Sequence, residues 1–240
     1  MNASVLNLPN ILTLSNLLSG CCAVLFIFHG QPETAAWFTL ASFLFDYTDG
    51  MAARSLNISS PLGKELDSLA DMVSFGVAPG AMLYLLLANP QHIYGECPVV
   101  WEALPAFLLS AFSGLRLAKF NLDTRQTTFF LGLSTPASTV FMLGLTLGAF
   151  RNVMGVGDFL AANAWVIYGL IPVFSALLIS EIPMFGLKLK RFDLKSNIAL
   201  IGFLLLLIPA FYFFQVLAFS LLVVAYIGAS LLWRGAVTGA

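Results

Sequence analysis

Charged side chains are scarce in this chain of 240 residues: only 10% are Asp, Glu, Lys or Arg, whereas 59% are hydrophobic. Soluble domains carry about 25% charged residues, so burial of all these apolar groups in one water-exposed core is implausible. Lipid is therefore expected to be part of the solvent, and the length fits a single membrane-embedded domain over residues 1–240. A basic stripe with interleaved aromatic residues, as in nucleic-acid binders, is also missing, so we expect no nucleic-acid partner.

Cysteine and histidine are equally rare. The three cysteines are Cys21, Cys22 and Cys97, and no CxxC pair is present; the two histidines are isolated from each other. A zinc site or a disulfide framework is therefore not expected, and the adjacent Cys21 and Cys22 are interpreted as small packing residues. A P-loop is lacking as well, so the sequence gives no indication of ATP chemistry.

Long apolar runs, in contrast, are abundant. A membrane-spanning helix needs about 20 mostly apolar residues, and the sequence contains eight such candidates, at 10–29, 33–54, 65–88, 98–118, 134–150, 159–180, 196–212 and 214–233. The pattern predicts an all-α, polytopic helical bundle, with a core over about 1–180 and extra C-terminal helices over about 196–233. Only Tyr212–Gln215 divides the last two runs, so six or seven spans remain open alternatives.

The basic residues predict the orientation, because lysine and arginine accumulate on the cytoplasmic side. If the N-terminus is cytoplasmic, Arg151 alone lies in an outer segment. The inner segments then hold the ten others, which are Arg54, Lys64, Arg116, Lys119, Arg125, Lys188, Lys190, Arg191, Lys195 and Arg234. We therefore expect a multi-pass protein of the cell (inner) membrane with both termini in the cytoplasm.

Four aspartates lie at the predicted inner ends of the second and third spans. Asp46 and Asp49 are three residues apart, and Asp67 and Asp71 are four apart. On helices, both spacings place the two carboxylates on one face. The connection between the spans is short and rich in turn-forming residues, so the two helices are expected to be antiparallel neighbours. The four carboxylates then converge near the cytoplasmic surface.

Carboxylates brought together in this way must either protonate or be neutralised by cations, and ionisable groups within membrane spans are usually functional. Oxygen ligands suit hard ions such as Mg²⁺, Mn²⁺ or Ca²⁺, and the hypothesis is a two-metal site. Gly50, Ala53 and Gly63 would let a ligand approach the backbone, and Arg54 supplies a cation for phosphate. Taken singly, each residue has an ordinary interpretation as a helix cap, a packing residue or a positive-inside anchor. Together they indicate a pyrophosphate substrate.

The spacing resembles the signature of the CDP-alcohol phosphatidyltransferases, and in this chain it runs Asp46-x2-Asp49-Gly50-x2-Ala53-Arg54-x8-Gly63-x3-Asp67-x3-Asp71. The resemblance covers the first five or six spans. It implies that Asp46, Asp49 and Asp67 bind divalent metal together with the pyrophosphate of the donor. It also implies that Asp71 is the base for the acceptor hydroxyl and a further metal ligand. The site for cytidine diphosphate would be lined by Gly50, Ala53, Arg54 and Gly63, with Asn10 of the Pro9-Asn10 pair as a weaker match.

Further stretches are similar to the phosphatidylserine synthase branch of that family, at 65–79, 116–121 and 132–137. The branch implies transfer of the phosphatidyl group of CDP-diacylglycerol to the hydroxyl of L-serine, with release of CMP, in phospholipid biosynthesis. Candidates for contact with serine are Arg116, Lys119 and Ser74. Lys119 stands where arginine is expected, and it lacks the bidentate geometry of a guanidinium. The family is commonly dimeric, so a homodimer is expected.

Other functions stay open at this point. Within the family, the alternatives are glycerol 3-phosphate or inositol phosphate as the acceptor, or a donor of the archaeal type. From a different class, a divalent-cation transporter would also use carboxylates inside the membrane. Against a transporter, the acids lie at one end of the spans and no pair of broken helices is seen in matching halves. A purely structural membrane protein leaves the clustered acids unexplained.

Overall fold

The computed structural model describes residues 5–58, 60–88, 99–122, 130–184 and 209–232. These segments form an all-α bundle. Its α-helices are α1 (Leu8–Phe28), α2 (Pro32–Ser55), α3 (Pro61–Asp71), α4 (Ala78–Ala88), α5 (Leu108–Leu122), α6 (Thr135–Phe150), α7 (Val156–Ala162), α8 (Ala164–Ile179) and α9 (Ala218–Leu232). A π-helical segment, Met72–Val77, joins α3 to α4. Short 3-10 helices occupy Trp101–Phe107, Val153–Gly155 and Gln215–Leu217.

Two strands of two residues each, β1 (Phe130–Leu131) and β2 (Pro183–Met184), pair in antiparallel register. The sequence pattern gave no sign of them because they are so short. They join the segment before α6 to the segment after α8. A further backbone bond from the Leu133 amide to the Leu177 carbonyl, 2.9 Å long, continues this connection. It closes the end of the bundle at which α5 ends and α6 begins.

Several helices are long and apolar enough to cross a membrane, which makes the protein a multi-pass membrane protein. Within the described segments they are Leu8–Phe28, Pro61–Ala88, Trp101–Leu122 and Pro209–Leu232. A fifth span arises if Thr135–Phe150 and Val153–Ala162 are counted together, although they are bent by 105°. Helix α2 has 24 residues and is therefore about 36 Å long, but it contains the charged residues Glu33, Asp46, Asp49 and Arg54.

The predicted spans agree with the first five helical runs. The third begins earlier than expected, at Pro61 instead of residue 65, because Ser60 caps the helix and proline fits its first turn. The sixth predicted span, 159–180, is broken at Asn163 between α7 and α8. Of the seventh, residues 196–208 lie outside the described segments, so the count of eight stays a prediction.

The predicted division at Tyr212–Gln215 coincides with an irregular turn inside a helical run and not with a hairpin. The run from Pro209 to Leu232 passes through the 3-10 turn at Gln215–Leu217, where the backbone of Gln215 is left-handed, with φ 49°. This stretch contains no glycine or proline to end a helix. The rings of Phe211 and Phe219 pack edge to face across the turn, with centroids 4.8 Å apart. The helix is therefore irregular at Gln215, and because residues 196–208 lie outside the described segments, a separate span before it stays a prediction.

Glycine and serine bring the helices into close contact. A Cβ atom on Gly20 of α1 would collide with the Ser74 hydroxyl of the π segment, and one on Gly80 of α4 would collide with the Ser110 hydroxyl of α5. Ser110 also donates a 2.8 Å hydrogen bond to the Gly76 carbonyl. Small residues allow such close approach where lipid cannot drive helices together. Backbone contact thus fixes the position of the π segment against its neighbours.

The C-terminal helix α9 is part of the same bundle. The Ser220 hydroxyl donates a 2.8 Å hydrogen bond to the Phe141 carbonyl of α6. A Cβ on Gly144 of α6 would lie 2.8 Å from the Ser220 amide nitrogen. At the end of the bundle opposite the aspartates, Arg151 Nε donates to Glu33 Oε1 over 2.8 Å, and so ties the end of α6 to the start of α2.

Candidate active site and its carboxylate cluster

Three of the four predicted aspartates form a compact group. Carboxylate oxygens of Asp46, Asp49 and Asp67 all lie within 4.8 Å of one another. Asp46 and Asp49 occupy one face of α2, and the antiparallel α3 brings Asp67 to meet them. This arrangement confirms the convergence that the helical spacing predicts for these three residues.

The chemistry of this triad fits a divalent cation. Asp49 is 6% exposed, and Asp67 Oδ1 is buried with no hydrogen-bond partner among the described residues. Three carboxylates at such separations repel one another strongly in a poorly solvated setting. An oxygen-only ligand set is the kind that Mg²⁺, Mn²⁺ or Ca²⁺ prefers. The triad could therefore hold a metal ion.

Asp71 stands beside the triad and not within it. It is the last residue of α3, directly before the π segment. It interacts electrostatically with Asp46 and Asp67, yet it is not a member of the group within 4.8 Å. Its Oδ1 accepts a hydrogen bond of 3.3 Å from Nδ2 of Asn16 on α1. The four acids are thus of two kinds, three that face one another and one that is held by an amide.

Two functional candidates on α1 were missed by the sequence analysis. Thr13 Oγ1 donates a 2.6 Å hydrogen bond to Asp49 Oδ2, and Asn16 donates to Asp71. Together with Asn10 they recur every third residue, and all three are at most 5% exposed. Buried polar groups in a membrane helix are costly and usually functional. That periodicity was the signal that could have identified them.

A cavity of about 250 Å³ opens beside the triad. The residues that line it come from α1, α2, α3 and the connection before α3, and they are Pro9, Asn10, Thr13, Asp49, Gly50, Ala53, Ile58, Ser60, Gly63, Lys64 and Asp67. Four predicted donor-site residues are therefore brought together here, namely Asn10, Gly50, Ala53 and Gly63. Lys64, which the sequence marked only as a basic residue of the inner side, is also present.

Space for a side chain is tight at one position on the wall of this cavity. A Cβ on Gly63 would lie 3.2 Å from both Asn10 Oδ1 and Ser60 Oγ, so any side chain would press against the wall. Arg54 is exposed and is not among the lining residues. Its Nη1 nevertheless passes 3.4 Å from the Cβ position of Gly50. The guanidinium therefore lies along the rim of the cavity.

The three acceptor candidates lie in different surroundings. Arg116 is only 7% exposed, its Nε has no hydrogen-bond partner among the described residues, and it interacts electrostatically with Asp71. Lys119 Nζ instead forms a surface ion pair with Glu181 at 3.3 Å. Ser74 Oγ donates to the Asn16 carbonyl over 3.1 Å. Of the three, Arg116 combines burial, an unused donor and proximity to an acid.

Comparison with known proteins shows the family of this chain. Residues 6–178 match the family model for CDP-alcohol phosphatidyltransferase. The chain is 35% identical over 186 residues to the CDP-diacylglycerol–serine O-phosphatidyltransferase of Mycobacterium leprae, a match that covers 74% of this chain and 57% of that protein. It is 31% identical over 199 residues to the protein of that name from Helicobacter pylori, covering 82% of this chain and 79% of the relative.

A protein of the same name from Bacillus subtilis is 34% identical over 150 residues, which cover 62% of this chain and 81% of the relative. The chain thus spans little more than half the length of the mycobacterial relative and about four-fifths of the other two. The family model extends over α1 to α8, except for the last residue of α8, and includes all four aspartates. The chain belongs to the CDP-alcohol phosphatidyltransferase family.

Proposed function

We propose that this protein is a phosphatidylserine synthase, which transfers the phosphatidyl group of CDP-diacylglycerol to the hydroxyl of L-serine and releases CMP. The observation that supports it best is the division of the acids: a triad beside the cavity, and Asp71 set apart next to Arg116. Relatives from several bacteria carry names for this reaction. We place the protein in the cell (inner) membrane as a homodimer, with the site and both termini on the cytoplasmic side.

The cavity is proposed to receive the cytidine diphosphate part of the donor. The small residues Gly50, Ala53 and Gly63 line this cavity, so no large side chain there keeps the nucleotide away from the backbone. Lys64 on the wall and Arg54 on the rim supply positive charge for the pyrophosphate. Acyl chains anchored in the bilayer would confine the donor headgroup to the depth of the site, which favours reaction by proximity.

The divalent metal is proposed to be Mg²⁺ or Mn²⁺, bound as two ions. Its ligands are proposed to be Asp46, Asp49 and Asp67, with Asp71 as a further ligand. When bound, the metal would neutralise the charge of the pyrophosphate and stabilise the leaving oxygen. Thr13 supports this arrangement, because its 2.6 Å hydrogen bond fixes one oxygen of Asp49. Groups that orient a metal ligand in this way commonly matter for metal affinity.

Asp71 is proposed to act as the general base. It takes the proton of the serine hydroxyl as the serine oxygen bonds to the phosphorus on the lipid side. The bond from that phosphorus to the bridging oxygen breaks, and CMP leaves with the electron pair. Arg116 is proposed to hold the serine carboxylate, since its buried guanidinium lies near Asp71 and its Nε is unused among the described residues.

The test is an assay of the purified protein with CDP-diacylglycerol, Mn²⁺ and one labelled acceptor at a time. Serine should yield CMP and labelled lipid in equal amounts, whereas glycerol 3-phosphate and inositol phosphate should yield neither. Labelled lipid from a phosphorylated acceptor instead would reassign the acceptor within the family. Divalent-cation flux through proteoliposomes, with no CMP from any acceptor, would support the transporter alternative and refute the proposal.

Arg116→Gln is expected to raise the KM for serine about 10- to 100-fold, because a charge-assisted contact with the carboxylate is lost. The KM for CDP-diacylglycerol should stay within about two-fold, since Arg116 does not line the donor cavity. The matched control is Arg151→Gln, which removes an arginine from the ion pair at the opposite end. Steady-state kinetics in both substrates provide the measurement. Equal effects of the two variants on serine would contradict the assignment.

A further inference from the structure

Asn16 is the most completely buried polar residue next to the four acids. It is 0% exposed in the middle of α1. Its Nδ2 donates to Asp71 Oδ1 over 3.3 Å, while its Oδ1 is buried with no hydrogen-bond partner within the described segments. Reversal of the amide would place two oxygens against each other, so the donor must face Asp71. A buried oxygen without a hydrogen-bond partner lowers the stability of a fold, and Asn16 Oδ1 is in this position.

The backbone of Asn16 is held from two sides. Its carbonyl accepts a hydrogen bond of 3.3 Å from Ser42 Oγ on α2 and one of 3.1 Å from Ser74 Oγ on the π segment. One turn further along α1, Gly20 allows Ser74 to come close, because a Cβ there would lie 2.9 Å from Ser74 Cα. Asn16 therefore sits where three elements meet, with little freedom to shift.

We propose that Asn16 is a positioning residue for Asp71, and this inference rests on the proposed function. A carboxylate can rotate and present either oxygen to its surroundings. Donation from Asn16 occupies Oδ1 and leaves Oδ2 to take the proton of the acceptor hydroxyl. The present length of 3.3 Å is long for a hydrogen bond, and such bonds commonly shorten when the substrates are bound. Ser42, Ser74 and Gly20 serve as the support for this contact.

The test uses two variants of Asn16 that resemble it in size. Asn16→Leu removes both donor and acceptor, and Asn16→Asp keeps the shape but replaces the donor by a second carboxylate oxygen. Both are expected to lower kcat about 10- to 100-fold, the usual effect of losing a hydrogen bond to a charged group. The KM for CDP-diacylglycerol should stay within about two-fold.

The matched control is Thr39→Val. Thr39 is a buried residue of α2 whose hydroxyl donates to the Ala35 carbonyl of its own helix, so the kcat of this variant should change less than about two-fold.

The outcomes separate the possible roles. Retention of near-wild-type kcat by Asn16→Leu, which has no donor, would show that only the size of residue 16 matters, and would overturn the inference. The inference would also be overturned if the KM of Asn16→Leu for the donor rose as much as its kcat fell. The same holds if Thr39→Val lowered kcat to a similar extent. If the wild-type protein uses an acceptor other than serine, the proposed acceptor fails, and the same comparison is made with that acceptor. If the wild-type protein releases no CMP whichever acceptor is supplied, the proposed function is refuted, and this inference is refuted with it.

Discussion

Asp71→Asn is expected to lower turnover by about 10²- to 10⁴-fold, the contribution that a positioned general base makes. The substitution keeps the size of the side chain and an oxygen that can accept the hydrogen bond from Asn16. What it removes is the ability to take the acceptor proton. Because Asp71 lies outside the triad and does not line the donor cavity, binding of the donor should be largely retained.

Two measurements on the same preparation check this expectation. Initial rates of CMP release give the loss of turnover, and competition by CMP against labelled CDP-diacylglycerol gives donor affinity. Asp158→Asn is the control, because Asp158 lies on α7 and interacts with Asn152 away from the cluster. Turnover close to that of the wild type would remove Asp71 from the role of base. Loss of donor binding in parallel with turnover would make it another residue of the donor site.

Removal of divalent metal by EDTA is expected to abolish activity, and added Mg²⁺ or Mn²⁺ should restore it. The reason lies in the triad, where three carboxylates within 4.8 Å need positive charge before an anionic pyrophosphate can approach. Asp67→Asn should raise the Mn²⁺ concentration for half-maximal activity by about 10-fold or more, since even groups that merely orient ligands change metal affinity about 10- to 100-fold.

Binding of Mn²⁺ followed by electron paramagnetic resonance provides a readout independent of turnover. The wild-type protein should bind the ion, and Asp67→Asn should bind it more weakly. Thr39→Val again serves as the control, because its hydroxyl bonds within its own helix. Full activity in buffer treated to remove metals would be incompatible with the proposed role of the triad, and an unchanged Mn²⁺ requirement in Asp67→Asn would exclude this residue as a ligand.

The sequence predicted the convergence of Asp46, Asp49 and Asp67. A carboxylate in an apolar run is conspicuous, and helical spacing shows which carboxylates share a face. The sequence did not reveal Thr13 or Asn16, whose partners lie 36 and 55 residues away along the chain. Polar residues of this size are also common packing residues in membrane helices. Only the approach of α1 to the acids distinguishes them.

The sequence also could not distinguish the roles of residues with similar side chains, because their surroundings depend on how the helices pack. Arg116 and Lys119 are both basic and lie three residues apart near the end of α5, yet the first is buried near Asp71 and the second pairs with Glu181. Ser74 was expected in the acceptor pocket, and the structure shows its hydroxyl on a backbone carbonyl of α1.

The π segment has a consequence for the faces of the third span. One residue in an α-helix corresponds to a rotation of about 100°, and a π turn accommodates one extra residue in a helical turn without adding that rotation and without ending the helix. Upstream, Asp67 and Asp71 point towards α1 and α2. Gly76 within the π segment and Gly80 beyond it face Ser113 and Ser110 of α5, respectively. If the same residues formed a regular helix, the glycines would be turned by about 100° relative to the acids, whereas a deletion of one residue within Met72–Val77 would restore a regular helix and keep both sets of directions.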